Sequence, residues 1–235
     1  RDELTESLAA SVYQQGETLL AAGEPEAAVA EWLRVATVAP GTELSARASY
    51  DAAGQLMALE AWDDALAAMT GLRSQHPDHP LTQQLSSRMA LAYRETGRWQ
   101  EAAAELTAIA ESSTDPVEQR ETSYLAAELY DRAGDQARAI ESYRSYANRW
   151  PEPADLYMES ANRLAELYLQ ADDSERRRYW LERQVEATDN AGARADDRMV
   201  YLAATAAMEL AEDAGAEYRS IRLTLPLENS LRRKL

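Results

Sequence analysis

The sequence predicts an all-α fold built as a solenoid of about six stacked helical hairpins, on three observations. Alanine makes up about a fifth of the chain, which favours helices and lets them approach closely. A turn followed by a short polar link, an Ala and a large residue four places later recurs with the anchors Ala28, Ala65, Ala102 and Ala139, each 37 residues from the next. Twelve residues before each anchor sits a small residue, and three further on a larger one. Small beside large on one helical stripe is what a pair of closely packed helices requires.

The first hairpin is predicted over residues 3–40. Its turn opens Gly23-Glu-Pro-Glu-Ala-Ala-Val-Ala-Glu-Trp32, and Gly16 and Leu19 are the small and large residues. The second, 43–77, repeats this with Ala53, Leu56 and the turn at Glu60-Ala61-Trp62. The third, 80–114, carries Ala90, Tyr93 and Gly97-Arg98-Trp99. The fourth, 117–151, carries Ala127, Tyr130 and Gly134-Asp135. Pro40, Pro77 and Pro151 close units, because proline lacks the N–H that would continue a helix. A fifth hairpin, 154–190, uses Ala165, Tyr168 and Leu181, but Arg177 stands where the anchor Ala is expected, so this hairpin should pack differently. The region 193–235 is read as a sixth, irregular hairpin plus a tail. Its first helix starts near Arg198, its second near Ala216, and Pro226 cuts the second. The tail from Tyr218 to Leu235 is expected to cap the last apolar face or to lead into a further domain.

Composition narrows the function. The formal charge is −17, which repels nucleic acid and anionic lipid. Salt adaptation and an acidic partner-binding surface explain this charge equally well. The absence of Cys excludes disulfides and thiolate chemistry. No stretch is long and apolar enough to span a bilayer, and no signal peptide is visible. The opening Arg1-Asp2-Glu3 does not look like a natural start, so a piece of a longer protein is expected.

The repeat resembles the tetratricopeptide repeat family over residues from about 8 to 190, with a period of 37 where about 34 is usual. The lengthened unit and the close Gln75-His76-Pro77 are similar to bacterial envelope proteins of this family, of the outer-membrane assembly lipoprotein and Tol-Pal coordinator type. The tail from Ile221 to Leu231 resembles a segment of large envelope-associated repeat proteins more weakly. The resemblance implies a right-handed superhelix whose first helices line a concave groove. It also implies a non-enzymatic scaffold that binds a partner peptide or helix, periplasmic or envelope-associated. A cytoplasmic adaptor, or an interaction module of a larger enzyme, remains the alternative.

The groove is expected at the residues three before, one after and four after each small residue. The set is Tyr13, Glu17, Tyr50, Met57, Leu91, Arg94, Tyr124, Glu128, Asp131, Asn162 and Glu166, with Leu20, Gly54, Ser87 and Leu169 at the same places, and the C-terminal half also receives Glu121 and Glu159. It reads as a broken tyrosine ladder that turns acidic toward the C-terminus, suited to a basic peptide. Tyrosines there can equally fill space between neighbouring first helices. Family members that clamp chaperone tails need Lys, Arg and Asn on this face. Tyr, Glu, Gly and Leu stand there instead, so such a clamp is not expected.

No catalytic, metal or cofactor site is expected. His76-Pro-Asp-His79 is read as a turn between hairpins, not a metal site. Ser87 has no neighbouring base, and no glycine-rich phosphate loop exists. The pairs Asp63-Asp64, Asp172-Asp173 and Asp196-Asp197 fall at helix starts. Trp32, Trp62, Trp99 and Trp180 are read as packing residues. Arg176-Arg177-Arg178 is expected to pair with Glu175 and Glu182.

Overall fold

The computed structural model describes residues 2–220 and Arg232, and these hold twelve α-helices and no strand. They fall into two compact units, Arg1–Asp135 and Gln136–Leu235. The first unit contains α1 (Asp2–Ala21), α2 (Pro25–Val38), α3 (Glu43–Ala58), α4 (Trp62–Gln75), α5 (Pro80–Gln83), α6 (Leu85–Glu95), α7 (Trp99–Ser112) and α8 (Pro116–Arg132). The second contains α9 (Gln136–Arg149), α10 (Ala154–Gln170), α11 (Ser174–Ala191) and α12 (Asp197–Ser220), with a 3-10 turn at Gly192–Arg194 before α12.

One turn geometry recurs five times. Gly23, Glu60, Gly97, Gly134 and Asp172 all have φ between 55° and 83°. At each, the amide of that residue bonds the carbonyl three back, and the next amide bonds the carbonyl five back. The carbonyls five back belong to Leu19, Leu56, Tyr93, Tyr130 and Tyr168. These paired bonds are the Schellman arrangement, which satisfies the orphan carbonyls of a helix end and needs a left-handed residue just past it. Glycine occupies that place without steric cost at three turns, whereas Glu60 and Asp172 hold it against their own Cβ.

The helix starts are also locally coded. Pro25, Pro80 and Pro116 stand in first turns, where the missing N–H would have no partner anyway. The Thr42 hydroxyl accepts from Ser45 N at 3.2 Å, Asp115 from Val117 N at 2.9 Å and Asp173 from Arg176 N at 3.0 Å. Asp196 does the same for Met199 N at 2.8 Å, whereas Asp63 and Asp64 only add charge to the first turn of α4.

The small–large code packs the hairpins. Ala28, Ala65, Ala102 and Ala139 are all fully buried. Gly16 packs directly under Trp32, and a Cβ there would meet the indole nitrogen at 2.6 Å. At the same register, Ala53 and Met69, Ala90 and Leu106, and Ala127 and Tyr143 are all buried. Where the second helix brings the bulkiest ring, the first helix has given up its Cβ.

Two elements depart from expectation. Region 197–220 is one helix, with no turn before Ala216. Gly215 is helical and lacks positive φ, and three ion pairs tie this helix to α11: Arg177 with Glu209 and Asp213, and Arg178 with Glu217 at 3.5 Å. Arg177 thus replaces the anchor Ala as an ionic tie. The arginine run pairs with Asp173, Glu209, Asp213 and Glu217, not with Glu175 and Glu182. The reason is that α12 lies close enough to supply carboxylates 32 to 39 residues along the chain. The capping expectation for the tail concerns residues beyond Ser220 and lies outside the described residues, as does the expected break at Pro226.

Candidate functional site

In the first unit the expected groove residues lie on α1, α3, α6 and α8, and their environments differ. Tyr13 is buried, 8% exposed. Its hydroxyl donates to Asp51 Oδ2 at 2.6 Å, and its ring lies 6.2 Å from Trp32 and under the Arg47 guanidinium at 5.3 Å. Burial and then the Asp51 hydrogen bond push its pKa up to about 12. Tyr13 therefore leaves the groove set: it fills space between α1 and α3, because the neighbouring first helix carries Asp51 and Arg47 at matching height.

Tyr50 is half-buried, and its hydroxyl donates to Gln84 Oε1 at 3.2 Å. The Arg88 guanidinium lies 4.1 Å above its ring. A Cβ at Gly54 would come within 3.1 Å of the same guanidinium, so the glycine leaves room for this stack. Sequence spacing missed Arg88, although it adjoins Ser87; the signal was an Arg at the height of a Tyr one repeat earlier. Of the other expected positions, Leu20 (38%) and Leu91 (41%) are exposed, as are Glu17 and Arg94, while Met57 and Tyr124 are half-buried.

On α8, Glu121 and Glu128 are open to solvent and Asp131 is partly covered. Nearby protein still removes enough water to raise the Glu128 carboxyl pKa, and Asp131 raises it further. This face of the first unit thus carries apolar side chains, stacked guanidinium and tyrosine, and carboxylates.

In the second unit the acid charge expected at Glu159 and Glu166 is already matched. Arg198 donates to both Glu159 oxygens, at 2.6 and 2.9 Å. Glu166 pairs with Arg163 and accepts from Asn162 Nδ2 at 3.0 Å. The increasing acidity read from the sequence therefore does not extend as free charge onto α10. Arg198 stands 39 residues after Glu159 and was not placed opposite it by any local pattern.

The histidine motif is a turn. His76 Nε2 and Ser45 Oγ lie 2.7 Å apart, His79 Nδ1 accepts from Leu81 N at 3.1 Å, and His79 Nε2 meets Glu43 at 2.9 Å. Burial holds the His76 pKa below its usual value, and His79 lowers it further. Among the described residues no cluster of three His, Cys, Asp or Glu side chains could hold a metal, and no described helix is long and apolar enough to cross a membrane. Trp32 and Trp180 are buried, and the half-buried Trp99 ring lies 3.8 Å from the Arg132 guanidinium.

A turn of one geometry that recurs five times between helices, with a buried alanine at four anchors spaced by 37 residues, defines a tandem-repeat protein of the α-helical class. The model of the family described as "Tetratricopeptide repeat" matches residues 121–153, across α8 and α9. Several solved structures are similar. MamA 41-end from Desulfovibrio magneticus RS-1 is 17% identical, with 77% of this chain and 93% of that chain covered and a TM-score of 0.41. The TPR2AB domain of yeast Sti1, in complex with pHSP90, is 15% identical, with 90% and 88% covered and a TM-score of 0.36. The TPR domain of P58(IPK) is 13% identical, with 88% and 56% covered and a TM-score of 0.36. No curated protein matches the chain.

Proposed function

We propose that the chain is a non-catalytic scaffold that binds a peptide or helix of a partner protein on its first-helix face. The observation that carries this reading is the surface of the first unit around Tyr50. Leu20, Met57 and Leu91 are left exposed or half-exposed on first helices, two of which carry the Arg88–Tyr50 stack, and α8 adds exposed acids, although the same positions' neighbours are fully packed. Rigid aromatic and apolar groups ringed by charge are the usual anchors of protein interfaces. The partner is proposed to be basic where it meets Glu121 and Glu128. We propose a place in a bacterial cell-envelope assembly; the lengthened repeat and its His76-Pro77 close support that setting.

A photo-crosslinking residue at Leu91 tests the interaction surface, with the exposed Ala104 of α7 as the comparison site. Crosslinks to one partner from position 91 and none from 104 are expected. Equal crosslinking at both sites, or crosslinking from 104 alone, refutes the first-helix face. Cell fractionation of the parent gene product tests the envelope setting, and recovery in the cytoplasm alone refutes it.

A further inference from the structure

The second unit holds a cavity of about 290 Å3 between α10, α11 and α12. Its size lies at the lower edge of ligand pockets, roughly 300–1,000 Å3, and leaves room for one side chain. Three apolar groups form a sleeve: Leu169 (59% exposed) and Tyr201 (61%) flank it, and Leu202 (3%) lines it from within. Such a sleeve fits the methylene stem of a long side chain whose polar end lies elsewhere.

The polar end can be read from the charge balance. Three ionic groups border the cavity. Arg198 is matched by Glu159, and Glu166 is matched by Arg163. Arg177 is different: one guanidinium, with 11% of its side chain exposed, binds both Glu209 and Asp213. Among the described residues, two carboxylates on one guanidinium leave one negative charge in surplus, and Glu209, 40% exposed, lines the cavity. The Thr205 hydroxyl also lines it and donates to the Tyr201 carbonyl at 3.0 Å, which leaves its lone pairs able to accept. A cation entering here would meet a carboxylate that shares its only described guanidinium with a second one, in a half-covered site where Coulomb attraction is stronger than in open water.

From this arrangement we infer that the cavity between α10 and α12 is a specificity pocket for a single basic side chain, Lys or Arg, of the partner. The stem lies against Leu169, Tyr201 and Leu202, and the charged end neutralises the Arg177–Glu209–Asp213 group. An acidic side chain would add a second surplus charge, and a neutral apolar one would leave the first uncompensated. This inference rests on the scaffold reading but concerns the second unit, whereas the crosslinking test concerns the first.

The test uses the full chain and three N-acetylated, C-amidated pentapeptides, Ala-Ala-Xaa-Ala-Ala, in which Xaa is Lys, norleucine or Glu. Amide resonances of α10 and α12 are followed by NMR. The Lys peptide is expected to give saturable shifts around Leu169 and Leu202, roughly fivefold tighter than norleucine, weakening with salt. Glu209→Gln, which keeps an acceptor for Arg177, should abolish the preference for Lys. Thr205→Trp at the cavity wall should abolish binding with an unchanged helical signal. Equal affinity for Lys and norleucine overturns the proposal. So does a preference for Glu, an unaltered preference in Glu209→Gln, or the absence of any saturable shift. In each of those cases Leu91 crosslinking would still report separately on the scaffold reading.

Discussion

Gly16→Ala is the sharpest test of the packing code. A methyl group at Gly16 would lie 2.6 Å from Trp32 Nε1 and 2.7 Å from its Cδ1, well inside van der Waals contact. The indole cannot yield cheaply: Trp32 is 4% exposed and Tyr13 packs 6.2 Å away. Overpacking a rigid buried ring costs about 2–3 kcal/mol, toward the upper end of the usual range. Alanine in place of glycine returns about 1 kcal/mol through helix propensity. The net loss is about 1–2 kcal/mol, or roughly 2–8 °C in melting temperature for a chain of this length. Urea unfolding followed by the helical circular dichroism signal measures it. Trp32→Leu supplies the second arm, because Ala90 and Leu106 are both buried at the same register two repeats on. On that background Gly16→Ala should stabilise by about 1 kcal/mol, since only the propensity gain remains. A neutral or stabilising Gly16→Ala in the wild-type background, or the same effect in both backgrounds, would refute the reasoning.

Glu60→Gly should raise stability by about 0.5–1 kcal/mol in thermal unfolding, since Glu60 is exposed and holds φ at 57° where glycine is unstrained; Gly97→Ala, at φ 71°, should lower it by a similar amount. Arg177→Ala restores the residue found at the other four anchors, yet it should destabilise by about 1–3 kcal/mol in urea, because Glu209 and Asp213 lose their shared cation. The His76 pKa is held down in the folded chain, so the unfolded chain takes up the proton first. Its contribution is present above about pH 6.5 and lost as the pH falls below it. The urea midpoint should therefore drop more from pH 7.5 to 5.5 in the wild type than in His76→Gln, and equal drops would count against a buried neutral ring.

How far each feature can be read without the structure follows the range of its cause. The turn residues Gly23, Gly97 and Gly134 announce themselves because a left-handed backbone is a local demand that glycine meets best. The buried stripe through Ala53, Leu56, Ala65 and Met69 follows from helical period alone, since three- and four-residue spacing brings side chains to one face. The same spacing located Leu91, Arg94 and Glu128 on an accessible face of the first unit. It could not tell Tyr13 from Tyr50. Both stand three before a small residue, yet one is sealed by Asp51, Trp32 and Arg47 while the other stays half-exposed under Arg88.

By itself, then, the sequence determined the helical hairpins, their 37-residue register, their turn chemistry and which helix faces are apolar. These follow from backbone sterics and from neighbours within one or two helical turns. The tertiary structure alone decided which charges remain free: Arg198 meets Glu159, and Arg177 gathers Glu209 and Asp213. Such partners lie 32 to 39 residues apart. Whether they meet depends on how adjacent helices are set against each other, and a one-helix pattern carries no record of that.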